Sequence, residues 1–243
     1  MAAFPPRFHY HGEGHAFSGH FNRPISHQIE ALAGASLPLS GGHGRALIEN
    51  FEIPQVVSVK KAYSTVSGSE DAKGNHHSHS ISVIEGLNIL DVVTADRVVA
   101  RLSSEHETKK KEGHIIALGT KFENLRVSGC PVQVEFDHEL FLTNKDFDSL
   151  RKKLASLKKS GRMAEESNGV VLCSLVKNMT ANCPGVEVDG HVLTVEHFGK
   201  IYVGEVISEE GFKRLSMLRL ELGSPYDGSL NATEVSLNGT HWP

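Results

Sequence analysis

The stretch His79–Leu102, HSISVIEGLNILDVVTADRVVARL, decides the fold. From His79 to Ile89 apolar and polar residues alternate. Successive strand side chains point to opposite faces, so Ile81, Val83, Leu87 and Ile89 are expected on one face, interrupted by Glu85. Val92–Ser104 is rich in β-branched residues and reads as extended. Its Val98, Ala100 and Leu102 fall on one side, with Arg97, Val99 and Arg101 on the other. Two such segments in succession predict paired strands.

The same reading extends both ways. Upstream, Ala46–Ile53 is a candidate strand stopped by Pro54, and Val56–Val66 is the next. The polar Gly68–His77 reads as the tip of a long hairpin. Leu37–Gly44, with its Pro and Gly residues, is a loop. Downstream, Lys109–Gly113 is a charged turn, and His114–Leu118 and Phe122–Val127 continue the sheet. After Gly169 strands resume at Val170–Lys177, Gly185–Val188, His191–Phe198, Ile201–Val206, Leu215–Leu222 and Val235–Leu237. In Leu215–Leu222 the residues Leu218, Leu220 and Leu222 face inward, and Arg219 and Glu221 outward. Leu125–Gly129, Val186–Gly190 and Val235–Gly239 echo one another, each placing alternate apolar residues before a polar-Gly pair that suits a tight hairpin.

One segment breaks the pattern. Phe147, Leu150, Leu154 and Leu157 recur at helical spacing, with Lys and Arg on the opposite face. Thr143 and Asp146 form a candidate capping box, and Gly161 ends the run. The expected fold is mainly β: an antiparallel sandwich or barrel-like meander of hairpins with one inserted amphipathic helix at about 144–160. Residues 1–36 read as a His/Gly-rich N-terminal arm or strand, and 37–243 as a single β-rich domain.

Composition narrows the function classes. A chain of 243 residues can bury roughly 70% of its unfolded surface, so it needs neither metal nor disulfides to fold. The formal net charge is -4 and the pI near 6.4, so no nucleic-acid partner is expected. The basic run Arg151–Lys159 reads as a solvated helix face. No run of about 18 apolar residues exists to span a membrane. The first ten residues lack the apolar core of a signal peptide. The chain is therefore expected to be soluble: cytoplasmic if Met1 is the native start, exported if a leader has been removed. Three cysteines exclude a disulfide framework but allow one bridge. Cys173 and Cys183 are close enough in sequence to pair across a hairpin, and free buried thiols are the other reading.

Glu85–Leu90 and the following Asp91–Arg101 resemble the "GL-x-LL-GLVTADAV-x-A" core of a large group of poorly characterised bacterial β-rich proteins, some labelled choice-of-anchor proteins. Leu37–Gly42 resembles their early Pro/Gly loop, Ile53–Ser58 their "LPGVVS" strand, Phe122–Val132 their "NL-x-V-x-G-x-PV" hairpin, and Ser236–Pro243 their closing "NGTHYP". The resemblance implies an all-β fold and export. It implies no catalytic residue.

Histidine is the unusual residue. There are 15, and protonating all of them would move the formal charge from -4 to +11, so a pH response is expected where histidine titrates. His9 and His11 would share one strand face, and Gly12, Gly14 and Gly19 would let His15 and His20 approach, with Glu13 as an added oxygen ligand. Neutral imidazoles so grouped can bind a transition metal such as Zn, Cu or Ni. His77 and His79 form a second same-face pair, with Glu70 and Asp71 across the hairpin tip. Flexible surface histidines are the bland alternative for both groups. Glu105-His106-Glu107, Asp137-His138-Glu139 and Glu196-His197 place acids beside imidazoles, but on a strand adjacent residues point apart and would not meet. No G-x-S-x-G elbow, H-E-x-x-H or Walker loop occurs. The reading with most support is a non-catalytic β-rich module that binds a protein partner or associates with itself through strand edges. A histidine-dependent metal protein or metalloenzyme, and a small-ligand-binding β-barrel, are the alternatives.

Overall fold

The fold is that of a computed structural model, which describes residues 8–23 and 26–238. In chain order its strands are β1 (Gly12–Arg23), β2 (His27–Leu32), β3 (Ala35–Ser36), β4 (Gly42–Ile53), β5 (Val57–Glu70), β6 (His76–Ile89) and β7 (Val93–His106). There follow β8 (His114–Ile116), β9 (Lys121–Glu123), β10 (Arg126–Val127) and β11 (Cys130–Phe136), then helices α1 (Leu140–Thr143) and α2 (Phe147–Lys159). The rest is again β: β12 (Ala164–Ser167), β13 (Val170–Ser174), β14 (Val176–Ala181), β15 (Val186–Asp189), β16 (Val192–Val195), β17 (Gly199–Glu209), β18 (Phe212–Leu222) and β19 (Asp227–Asn238).

Two antiparallel sheets result. Sheet I runs β12-β13-β17-β18-β19-β1-β2, with β16 also on β17, β15 on β16 and β3 on β1. Sheet II runs β14-β11-β10-β7-β6-β5-β4, with β8 and β9 also on β7. The sheets pack face to face, β19 over β6 and β7, and β1 over β5 and β6. A large apolar core fills most of the space between them, with Phe17, Ile84, Ile89, Leu102, Leu215 and Leu237 fully buried, and Phe8, Tyr10, Ala35, Leu37 and Val66 form a second, smaller cluster. This is the mainly β sandwich that period-two alternation predicts. The Gly/His-rich N-terminal stretch supplies β1, which lies between β19 and β2 in sheet I.

The alternation breaks in one place on each strand, and the breaks line up. In sheet II, Asn50, Lys60, Gly86, Asp96 and Asn124 form a transverse row. Every second member has left-handed backbone: Asn50 (φ 55°), Gly86 (φ 66°) and Asn124 (φ 51°). On one side of the row even-numbered residues face the core, as in Val66, Ile84 and Leu102; on the other side odd-numbered ones do, as in Val59, Leu87 and Ala95. Sheet I has the same device. Gly204, Met217, Thr233, Ala16 and Ala33 form its row, with Gly204 (φ 63°), Thr233 (φ 53°) and Ala33 (φ 51°) left-handed. Each sheet therefore carries a crease that switches the inward face by one residue without changing register.

The crease corrects the expected grouping on β6. Leu87 and Ile89 face the core, whereas Ile81 and Val83, on the other side of Gly86, take the opposite face. There Ser80 and Ser82 point inward. Their Oγ atoms donate to the carbonyls of Glu13 (2.6 Å) and His15 (2.9 Å), tying the sheets together by hydrogen bonds. The expected faces of β7 and β18 stand as read. The hairpin tip is shorter than the polar sequence suggests, because β5 runs to Glu70 and β6 begins at His76. Asp71 holds the tip: its carboxylate accepts from the backbone N–H groups of Lys73 and Asn75. Of the three echoed segments, the first two are hairpin turns, joining β10 to β11 and β15 to β16. Gly239 of the third lies outside the described residues.

The helical segment is two helices. The cap of α2 is Asp146, whose carboxylate accepts from Ser149 N at 2.7 Å while the Ser149 hydroxyl oxygen accepts from Asp146 N. The capping partner is thus Ser149, not Thr143, which closes α1 by donating to the Glu139 carbonyl. Phe147, Leu150, Leu154 and Leu157 form the buried stripe of α2, as their spacing requires, and the helix packs on β12. The Glu112 carboxylate accepts from Phe147 N and Gly211 N, joining the start of α2 to the β17–β18 turn.

Of the two readings for Cys173 and Cys183, the bridge between them does not form, and the free buried thiol holds for Cys173 alone. Cys183 pairs instead with Cys130, 53 residues away, because Cys173 faces the core of sheet I on β13. Burial pushes the Cys173 thiol up to about 12, which makes it inert. By loop-closure entropy alone a bridge over this separation contributes about 4 kcal/mol. No helix among the described residues is long and apolar enough to cross a membrane.

Candidate functional site

A sheet that is not closed has edges, and an edge strand offers a row of unpaired N–H and C=O groups. Of the four strands that end the two main strand orders, three are short or covered, and the side strands β3, β8, β9 and β15 have only two to four residues each. β12 has four residues and lies against α2; β14 has six and lies beside β15; β2 has six. The fourth, β4, is twelve residues long and, among the described residues, pairs only with β5.

The outer face of sheet II leads to that edge through two cross-strand ladders. Val99, Val83, Tyr63 and Leu47 stand directly opposite one another on β7, β6, β5 and β4. Val83 is buried within this ladder, while Leu47, at the open end, is 47% exposed. Beside it run Glu123, Arg97, Glu85, Lys61 and Glu49, alternating in sign from β9 to β4. Lys61 lies 3.7 Å from Glu49 and Arg97 4.0 Å from Glu85. Arg97 also donates to the Tyr63 hydroxyl at 3.1 Å, linking the two ladders. Arg45 occupies the exposed face on the other side of Leu47. Three residues at alternate positions of an edge strand thus present a cation, an apolar side chain and an anion.

The six histidines singled out as metal ligands are spread over the molecule. Among the described residues no group of three or more His, Cys, Asp or Glu is placed to hold a metal ion. His9 and His11 precede β1, and His20 lies near its far end. His15 Nε2 bonds the Ser18 hydroxyl at 3.1 Å, and burial pulls its pKa below the ordinary histidine value. His77 Nε2 lies 3.4 Å from the Asp71 carboxylate, and His79 Nδ1 bonds the Ser103 hydroxyl at 2.9 Å. Backbone N–H donation, first from Asn75, holds the Asp71 carboxyl at about 2. His76 has the richest surroundings: its ring stacks on Phe8 at 4.1 Å and its Nδ1 bonds the Tyr10 hydroxyl at 2.9 Å. Of the three acid-flanked histidines, His197 does meet its neighbour, with Glu196 at 3.4 Å, because His197 sits in a turn at φ 59° rather than on a strand.

A second feature was not legible in the sequence. β17 is paired along one side by two different strands, β16 at Gly199–Tyr202 and β13 at Glu205–Ser208. The sheet forks between them at Gly204, the end of the crease. A cleft of about 280 Å³ opens there, lined by Arg162, Met163, Ser174, Met179, Gly190 and His191. It is near the lower limit of a small-molecule site. The buried His191 lies with Nε2 3.4 Å from Glu205, whose carboxylate is gripped by Arg219 at 2.6 and 3.0 Å. Arg219 lies over the Tyr202 ring, 3.7 Å from its centroid. Burial raises the Glu205 pKa, but hydrogen bonds from His191 and Arg219 outweigh it and hold the group ionised below its usual value. Arg162 pairs with Asp137 at 2.6 Å and donates to the Ser174 carbonyl. The Ser174 hydroxyl donates to the Val203 carbonyl, so this cleft offers fixed hydrogen-bonding groups without an activated nucleophile. The residues involved are far apart in sequence, and no local motif announces them.

No curated protein matches the chain, and no solved structure does. A family model described as Domain of unknown function (DUF8256) matches residues 8–161 and 143–209, which takes in all of sheet II with its crease and β4, and sheet I as far as β17. By that match the chain belongs to the DUF8256 family of domains of unknown function.

Proposed function

We propose that this protein is a non-catalytic β-rich binding module whose contact surface is the open edge of sheet II. The observation that carries the reading is β4 itself: twelve residues of strand with a single partner strand among the described residues, reached by an apolar ladder that ends on the exposed Leu47. Strand addition there would satisfy the outward backbone groups and cover Leu47 in one step, with side-chain pairs setting the register. Arg45 and Glu49 flank Leu47 on the same face and would select a strand carrying the opposite charge order.

Amide hydrogen exchange on the full chain tests this. The probe is a synthetic peptide carrying Glu, an apolar residue and Lys at alternate positions, added to dilute protein. Slowed exchange confined to Gly42–Ile53 is the expected result. Protection elsewhere, with β4 amides unchanged at saturating peptide, would refute the edge as the contact.

A further inference from the structure

We infer that β4 pairs with β4 of a second copy of this chain, antiparallel and centred on Leu47. The inference rests on the edge-binding reading and names the partner. Its basis is that the strand is self-complementary about that residue. In this register Leu47 faces the partner's Leu47, Arg45 faces the partner's Glu49, and Glu49 faces the partner's Arg45. On the inner face Ala46 meets the partner's Ile48 and Ile48 the partner's Ala46. Such a contact is isologous: the same patch serves both copies, as two-fold symmetry requires.

Both ladders continue across the junction. The apolar row Val99-Val83-Tyr63-Leu47 meets its own reverse, so the half-exposed leucines cover each other. The charged row Glu123-Arg97-Glu85-Lys61-Glu49 ends on an anion, and the next member of an alternating series is a cation. The partner's Arg45 supplies it. Shifting the register by two residues would leave Leu47 opposite a charge and break both rows, so side-chain pairing favours this alignment over its neighbours. Among the described residues the close approach to β4 from sheet I is at its start, Ser36 against Gly44, with Ala46 packed on its inner side against the Ala35 and Leu37 cluster; the left-handed Asn50 ends the outward Arg45–Glu49 series.

Sedimentation equilibrium of the full chain over a wide concentration range, with a charge-swap series, decides the matter. The unmodified protein is expected to form dimers and nothing larger. Glu49→Arg places two arginines opposite each other at both ends of the contact and should weaken the dimer at least about tenfold. The double variant Arg45→Glu with Glu49→Arg restores opposite charges and should return the affinity to within about threefold of the original. Both residues are exposed, and thermal unfolding of each variant confirms that the fold is intact. A dimer indifferent to Glu49→Arg, or one that the double variant fails to restore, overturns the register. A chain that stays monomeric at every concentration, while the strand peptide still protects β4, overturns self-pairing and leaves the edge-binding reading standing. Loss of both results removes the two together.

Discussion

Gly86→Val tests the crease on which the geometry of sheet II depends. The residue has φ 66°, and an added Cβ would lie 2.8 Å from the Lys60 Cβ. Left-handed backbone costs an ordinary L-residue about 1–2 kcal/mol, and a β-branched one is a stronger outlier. Crowding against a neighbouring Cβ that cannot swing away adds about 1–3 kcal/mol. The strand could escape both terms by straightening, but that would turn Leu87 and Ile89 out of the core, where they are 2% and 0% exposed. At about 1.5–3 kcal/mol for each side chain, plus a broken row, straightening is the dearer response. The variant should therefore keep its fold and lose about 2–5 kcal/mol. For a chain of this size that lowers Tm by roughly 5–15 °C. Urea unfolding beside Gly129→Val gives the contrast, because Gly129 is also left-handed, at φ 78°, but an added Cβ there meets nothing within 4 Å. Gly129→Val carries the backbone cost alone. Equal losses in the two variants, or a Gly86→Val protein as stable as the parent, would refute the crease as a tightly packed feature.

Two further expectations follow from buried charge and from histidine. Lys213 is 1% exposed, its Nζ has no hydrogen-bond partner among the described residues, and burial lowers its pKa. A lowered folded value means stability that is present above the ordinary lysine pKa and lost as pH falls, so at neutral pH this residue is a burden. Lys213→Met should raise stability by about 1–3 kcal/mol in denaturant titrations near pH 7, with the gain shrinking as pH rises past about 10; a loss of stability would show that Lys213 serves the fold. Burial likewise lowers the pKa of His15, His76 and His79, so their contribution is fully present above the ordinary value of 6.5 and declines as pH falls below it. Unfolding free energy measured from pH 8 to pH 5 should fall steadily in that window, and a flat profile would contradict the burial of these rings.

Much of this architecture is written in period-two alternation, and the departures share one cause. The outer and inner faces of β7 and β18 were legible because apolar residues occupy the inner positions throughout Val98–Leu102 and Leu218–Leu222. On β6 the same rule favoured Ile81 and Val83, since a serine facing a core is a poor reading of sequence alone. Ser80 and Ser82 are placed inward by carbonyls of β1, a strand nearly seventy residues away, and no local pattern can show that. The creases were hidden for a related reason. Gly86, Gly204, Asn50 and Asn124 are residues that tolerate left-handed backbone, but Thr233 and Ala33 are not. Their conformation is imposed by alignment with the neighbouring strands. The Cys130–Cys183 bridge was not among the disulfide readings, because proximity in sequence stood in for proximity in space. The metal-ligand reading had the same weakness: alternate histidines share a face, but the three-dimensional groups a metal needs must be assembled by several strands.

The crease also bears on how far association can run. An open edge twelve residues long is a hazard, because each added strand can expose another edge and propagate a fibre. Asn50 removes part of that hazard. Its left-handed backbone switches which side chains face outward just after Glu49, so the outward Arg45–Leu47–Glu49 stretch ends there. Pairing centred on Leu47 then consumes that stretch in both copies. Among the described residues the remaining edges, short or lying against α2 and β15, offer no second site of comparable length. An isologous contact that uses up its own edge closes at two copies. The feature that disturbs the alternation of every long strand in sheet II is thus the same one that would hold self-association to a dimer.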